Sequence, residues 1–345
     1  MSKAPLPVAV DAMGGDHGPK VVVEGVISAV NDIDCEAIIV GKESEIKSCL
    51  DSLGAGNNPK IKIKNANSVV TMDDSPAVVM RGKTDSSIRV AFQLVKNGEA
   101  SSLISPGNTG AVMAAGLVLS GTLPGIARPA IATLIPKVGK SKPTVLLDSG
   151  ANVDCHAHQL VQFALMGSCY ARVALPVENP RTALLSNGSE PSKGTDIIRA
   201  AAQSMSEMEE LNYIGYVEGR DIPKDSADVV VCDGFVGNLI LKAMEGTVEL
   251  VLDTMKMSVE RSLSAKIGMF MAKPALKTLF SQKLDPASYG GAPLLGLNHM
   301  AIICHGSSNG RAIMNAIKVA KKFVDAELIK KMEQALISFD LKKRI

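Results

Sequence analysis

The chain has 345 residues, of which 46% are hydrophobic, 21% charged and only 3% aromatic, with no Trp. That length holds one large α/β domain or two modest ones, and the scarcity of aromatics leaves the core to Val, Ile, Leu, Met and Ala, as in buried parallel strands. A net charge of +2 gives no support to nucleic-acid binding, and no apolar run is long enough to span a bilayer.

The six cysteines (Cys35, Cys49, Cys155, Cys169, Cys232 and Cys304) lack paired spacing and read as reduced thiols of a cytoplasmic protein. Met1 to Pro7 has no signal-peptide apolar core and leads straight into a strand. From there one pattern recurs: a short apolar strand, a loop of Gly, Asp, Asn or Ser, and a stretch with helical apolar period. Val8 to Val10 runs into Asp11-Ala-Met-Gly-Gly-Asp-His-Gly-Pro19 and a helix over 21–30. Ser102 to Ser105 runs into Pro106-Gly-Asn-Thr-Gly110 and a helix over 111–119. Thr144 to Leu147 runs into Asp148-Ser-Gly-Ala-Asn152 and a helix over 160–170. Val229 to Cys232 runs into Asp233-Gly-Phe-Val-Gly-Asn238 and a helix over 239–252, and Ala301 to Cys304 into His305-Gly-Ser-Ser-Asn-Gly310 and a helix over 311–324.

Strands alternating with helices predict βαβ units and a mostly parallel sheet in a three-layer α/β/α sandwich. Ligands of such sheets bind at the carboxyl ends of the strands, so the five loops are expected along one edge. No internal repeat is visible. Residues 1–345 read as a single catalytic domain, from which 254–286 departs as a basic amphipathic helical excursion. Arg261, Lys266, Lys273 and Lys277 alternate there with Ile267, Phe270 and other apolar residues, without an acidic residue between Glu260 and Asp285. Pro274 is expected to break it, giving two short helices or a helical hairpin. Such a hairpin suits an anionic membrane surface or an acidic protein partner, and a dimer-interface hairpin is the competing reading.

Several chemistries are excluded by motif. The first loop is neither a P-loop nor Gly-x-Gly-x-x-Gly, and a nicotinamide dehydrogenase, though of the right fold class, lacks its fingerprint. No Gly-x-Ser-x-Gly elbow is present. Cys155 and His158 have no second ligand pair, so no metal site is expected. What remains suits an oxyanion. Gly14 and Gly15 precede a helix near Pro19, and Asn108, Thr109, Gly110, His305, Ser307, Ser308 and Asn309 combine amides and hydroxyls with helix N-termini. Asp11, Asp16 and Asn152 belong to the same loops, the two aspartates being better suited to orient them than to touch phosphate. Lys193, alone among turn residues in Ser189-Glu-Pro-Ser-Lys-Gly194, adds a positive charge.

Taken together, Asp11-Ala-Met-Gly-Gly-Asp-His-Gly-Pro19, Ser105-Pro-Gly-Asn-Thr-Gly-Ala111, Leu147-Asp-Ser-Gly-Ala-Asn-Val-Asp154, Cys232-Asp-Gly-Phe-Val-Gly-Asn238 and Tyr289-Gly-Gly-Ala-Pro-Leu-Leu-Gly-Leu-Asn298 leading to His305-Gly-Ser-Ser-Asn309 closely resemble the PlsX-type phosphate acyltransferases of bacterial phospholipid synthesis. The resemblance covers nearly the whole chain. It implies a fold related to phosphotransacetylase and isocitrate dehydrogenase, a homodimer, and transfer of a long-chain acyl group from acyl carrier protein to inorganic phosphate without a cofactor. It also implies peripheral membrane association, with the acyl phosphate passing to a membrane glycerol-phosphate acyltransferase. The family's functional lysine and asparagine fall on Lys193 and Asn238. Two departures stand out: Glu190-Pro191-Ser192 replaces the usual acidic run before the lysine, and His299 stands where Gly is usual. The competing functions are a phosphotransacetylase acting on short acyl-coenzyme A and a non-catalytic carrier- or membrane-binding scaffold.

Overall fold

A computed structural model describes residues 5–139, 142–260, 262–279 and 286–343. Its strands are β1 (Val8–Asp11), β2 (Ala37–Gly41), β3 (Ile61–Asn65), β4 (Ser102–Ser105), β5 (Ala130–Ile135), β6 (Thr144–Leu147), β7 (Thr182–Leu185), β8 (Tyr213–Val217), β9 (Val229–Val231), β10 (Ala292–Leu295) and β11 (Met300–Ile303). The helices are α1 (Gly18–Asp32), α2 (Glu43–Ser52), α3 (Pro76–Arg81), α4 (Ser87–Lys96), α5 (Thr109–Ala115), α6 (Ala157–Ala174), α7 (Asp196–Ser206), α8 (Gly234–Glu260), α9 (Leu263–Leu279), α10 (Gly310–Asp325) and α11 (Leu328–Lys343). All strands join one sheet in the order β3-β2-β1-β4-β11-β10-β5-β6-β9-β7-β8.

The alternation of strand side chains builds the three layers. Val8, Val10, Ile39, Ile104, Leu147, Leu184, Val231 and Ile302 bury one face beneath α1, α6, α10 and α11. Their alternates on the other face, Ala9, Ile38, Leu103 and Ala301, pack under α4 and α5, while Leu146, Ala183 and Val230 pack under the first turns of α8. Helix periodicity follows the same division of labour. In α1 the buried Val22, Val23, Val26, Ala29 and Val30 form one stripe, and in α10 Ala312, Ile313, Ala316, Ile317, Ala320 and Phe323 form another.

The sheet is mostly parallel, as expected, but it corrects the expectation of a single loop edge. It is parallel from β3 through β11, but β10 runs antiparallel to both β11 and β5, and β5 antiparallel to β6. The strands β6, β9, β7 and β8 are parallel to one another and, after this triple reversal, run opposite to β1, β4 and β11. The five loops therefore do not share an edge: those after β1, β4 and β11 lie at one edge, those after β6, β7 and β9 at the other. The chain also has a hidden internal symmetry. Outward from the central β10–β5 pair, β11, β4, β1 and β2 are topologically equivalent to β6, β9, β7 and β8. Helices α5 and α8 are then counterparts that start at opposite edges on the same face.

A charged cluster ties the reversing strand to the second half. Lys137, just past β5, is buried and reaches Asp225 (3.1 Å) and Asp228 (3.2 Å), and Arg181 pairs with the same two carboxylates. Burial alone would raise the Asp228 pKa, but hydrogen bonds from Arg181 and Lys137 outweigh it and hold the carboxyl at about 2.

Within the excursion the break falls between Glu260 and Leu263, and Pro274 lies inside α9. A proline in a helix forfeits one backbone hydrogen bond and bends the helix, which an exposed helix tolerates without ending. The excursion begins within the last two turns of α8, so residues 254–260 and 262–279 are the outer part of a helical hairpin rooted at Gly234. Arg261 lies outside the described residues, and of Lys273 and Lys277 only the backbone is described.

Candidate active site

At the first edge the loops interlock. Asp11, wholly buried, accepts from the N–H groups of Met13 (3.0 Å) and Gly14 (3.2 Å) and from the Ser105 hydroxyl (2.7 Å). Burial pushes its carboxyl pKa up, against these donors. Gly14 sits so close to the next loop that a Cβ there would fall 2.6 Å from the Gly107 Cα, and Asp16 donates its N–H to the Gly306 carbonyl. Asn108 accepts from Ala111 N–H as the cap of α5 and turns its amide onto the carbonyls of Met72 (2.9 Å) and Asp74 (3.1 Å). Asn309 caps α10 through the Ala312 N–H, and His305 Nδ1 contacts the Ser307 hydroxyl at 2.7 Å. The Gly14 N–H, both ends of the Asn108 amide and the Asn309 side-chain oxygen are thus spent inside the fold. Gly15, Thr109, Gly110 and Ser308 border them, and Asp16 adds negative charge.

The second edge carries Asn152, Lys193 and Asn238. Asp148 is its organiser: Oδ1 accepts from the N–H groups of Ile131, Gly150 and Ala151 at 3.0–3.1 Å, and Oδ2 from the Asn152 N–H (2.7 Å) and side-chain amide (2.8 Å). The Asn152 amide also donates to the Pro129 carbonyl, so this residue is structural. Asn238 opens the second turn of α8, half-buried against Gly150, and its side chain has no hydrogen-bond partner among the described residues. Lys193 follows β7, adjacent to β9 in the sheet. Its aliphatic stem lies over Gly188, and its ammonium is exposed and unpaired among the described residues. The Pro191 loop stays well formed, with the Gly194 N–H donating to Asn187.

Between the two halves, Thr133 of β5 meets Ser149 at 2.6 Å, and Ser149 donates to the Ile131 carbonyl. With the Ser149 proton so used, the Thr133 hydroxyl is the donor of the pair. Asp148, the organiser of this turn, is not among the site residues expected from the sequence, although the carboxylate immediately before Ser-Gly-Ala-Asn was a usable signal. Motif reading could not find the Ser120–His299 contact (2.9 Å), which joins residues 179 apart in sequence. Burial pushes the Cys155 thiol up to about 12, helped by Asp148 and Asp233, and burial pushes Cys232 well above its ordinary value. Neither is a ready thiolate nucleophile.

Comparison with known proteins gives this geometry a context. The family described as "Fatty acid synthesis protein" matches residues 6–331. A phosphate acyltransferase from Syntrophotalea carbinolica is 46% identical over 343 residues, covering 98% of this chain and 97% of the relative. One from Pelotomaculum thermopropionicum is 45% identical over 337 residues, covering 98% and 97%. Among solved structures, a phosphotransacetylase from Streptococcus pyogenes superposes with a TM-score of 0.63 at 20% identity, covering 92% of this chain and 94% of that one. At that identity the likeness concerns the fold.

Proposed function

Because the chain belongs to the PlsX-type phosphate acyltransferase family, we propose that it moves a long-chain fatty acyl group from an acyl carrier protein thioester onto inorganic phosphate. The observation that carries this reading is the pair Lys193 and Asn238. Both stand at the same edge of the sheet with side-chain functional groups left unspent by the fold, whereas the Asn108 amide, the Asn152 NH₂ and the Asn309 side-chain oxygen are committed to it.

The chemistry asks little covalent help from the protein. A phosphate oxygen attacks the thioester carbonyl carbon, a new C–O bond replaces the C–S bond, and the carrier leaves as a thiolate. The protein's task is to hold phosphate in line and to stabilise the oxyanion that forms. Lys193 supplies positive charge to phosphate or to that oxyanion, and Asn238 supplies a hydrogen bond. The raised thiol pKa values of Cys155 and Cys232 favour direct attack over a cysteine-bound acyl intermediate.

The product is amphiphilic, and α9 suits a membrane surface. Leu263, Ile267, Phe270 and Met271 are exposed at helical spacing, beside an exposed Lys266. Phe235, Leu239, Leu250 and Met257 along α8 are exposed as well and support a homodimer. Hand-over of the acyl phosphate to a membrane glycerol-phosphate acyltransferase follows from this reading.

The test is to supply long-chain acyl carrier protein with and without phosphate and to detect acyl phosphate by mass. Acetyl-coenzyme A in parallel reports the phosphotransacetylase alternative, and no acyl phosphate from either donor leaves a binding scaffold. Lys193→Ala is expected to lower kcat by about 100-fold or more, the loss typical of a donor acting in the transition state, with an unchanged melting temperature because the side chain is exposed. Near-normal turnover of this variant removes the lysine from the reaction.

A further inference from the structure

We infer that Asp148 is a positioning residue for Asn238; the inference rests on the reading that Asn238 takes part in the acyl transfer. Asp148 is fully buried and belongs to no ion pair among the described residues. Its charge is met by five N–H donors, four of them backbone groups of Ile131, Gly150, Ala151 and Asn152 and the fifth the Asn152 amide. Those bonds wind residues 148–152 into one rigid turn around the carboxylate, because each donor would be orphaned in a buried loop without it.

Helix α8 is seated on that turn. The Gly234 N–H donates to the Asn152 carbonyl at 2.7 Å. A Cβ on Gly234 would lie 2.7 Å from Asp148 Oδ2, and one on Gly237 would lie 1.9 Å from the Asp148 carbonyl oxygen. Only glycine permits this approach at both positions. The next residue is Asn238, whose Cβ sits 3.5 Å from the Cβ position of Gly150. The location of the Asn238 amide is therefore set by the turn, and the turn by the Asp148 carboxylate. Asp148 has no need to meet the substrate to matter.

An Asn in its place keeps the shape but turns an NH₂ toward N–H donors on one side, so two or more bonds are lost and the turn relaxes. Asp148→Asn is expected to lower kcat for acyl phosphate formation, from long-chain acyl carrier protein and inorganic phosphate, by about 100-fold, the scale of loss from an ångström-sized misplacement. The deciding measurement is the double-mutant cycle with Asn238→Ala. If Asp148 acts through Asn238, Asp148→Asn costs little in the Asn238→Ala background. If the two losses multiply, or if Asp148→Asn turns over normally, the inference is overturned. Wild-type turnover by Asn238→Ala alone identifies the other failure, that of the functional reading. Should Asp148→Asn fail to fold by circular dichroism, Asn152→Ala removes one of the five donors and is put through the same cycle, with a smaller loss and the same non-additivity expected.

Discussion

Four asparagines in glycine-rich loops look alike in the sequence and do different work in the fold. Asn108 and Asn309 cap helices, and Asn152 braces the Asp148 turn. Asn238 makes no such bond, which is what favours it as the proposed substrate contact. Asn and Asp are favoured at helix starts for their capping oxygens, so residue type alone could not separate the cap from the reactive group. His299 is a residue-scale departure with a measurable consequence. It is half-buried against Ser120, and burial together with the nearby Lys96 charge lowers its pKa. Between that lowered folded value and the ordinary 6.5, the unfolded chain binds more protons than the folded one. Its contribution is therefore complete above about pH 6.5 and is lost as pH falls through the folded value. His299→Gln, which keeps a hydrogen-bonding side chain, is expected to lose less melting temperature than the wild type between pH 7.5 and pH 5; equal losses would exclude His299 as the source. Asp148 was passed over, although the Lys193 and Asn238 positions were legible in motifs. Their grouping was not, since it depends on which strands neighbour one another.

Elements were legible where period and composition agreed. All five strand–loop–helix units expected from the sequence are present, with ends shifted by a few residues, because loop residues such as Gly18 and Gly234 already have helical neighbours to bond. The excursion was legible as amphipathic but not in its division: Pro274 was expected to break it and does not, and the turn falls near residue 262. A helix breaks where its neighbours cannot compensate a lost bond, and that is a property of surroundings. On α9, Leu263, Ile267, Phe270 and Met271 present a continuous apolar face to solvent with Lys266 alongside. Lys266→Glu combined with Phe270→Ser is expected to weaken binding to anionic phospholipid vesicles by tenfold or more at low salt, with the difference shrinking as salt screens the charge. Sedimentation with vesicles at two ionic strengths measures this. Undiminished binding would return the hairpin to a packing role.

On the scale of the whole molecule, the sheet joins two topologically equivalent halves through the antiparallel β10–β5 pair. The repeat is hidden in the sequence because it is permuted: β11, at the end of the chain, is the counterpart of β6 in its middle. A sheet hydrogen-bonded throughout, with one core cluster that spans both halves on its α6–α10 face, is expected to unfold as one cooperative unit. A single thermal transition, coincident by near- and far-ultraviolet circular dichroism, checks this; two separated transitions would show that the halves are independent domains. Composition and apolar period by themselves determined the α/β class and the position of five of the eleven strands, because these depend on residues close in the chain. Strand direction, and with it which loops meet, was decided only by the tertiary structure. A four-residue buried strand carries the same apolar pattern whichever way it runs, and the choice is made by hydrogen bonds to partner strands, among them the distant pairing of Leu294 in β10 with Ile131 in β5.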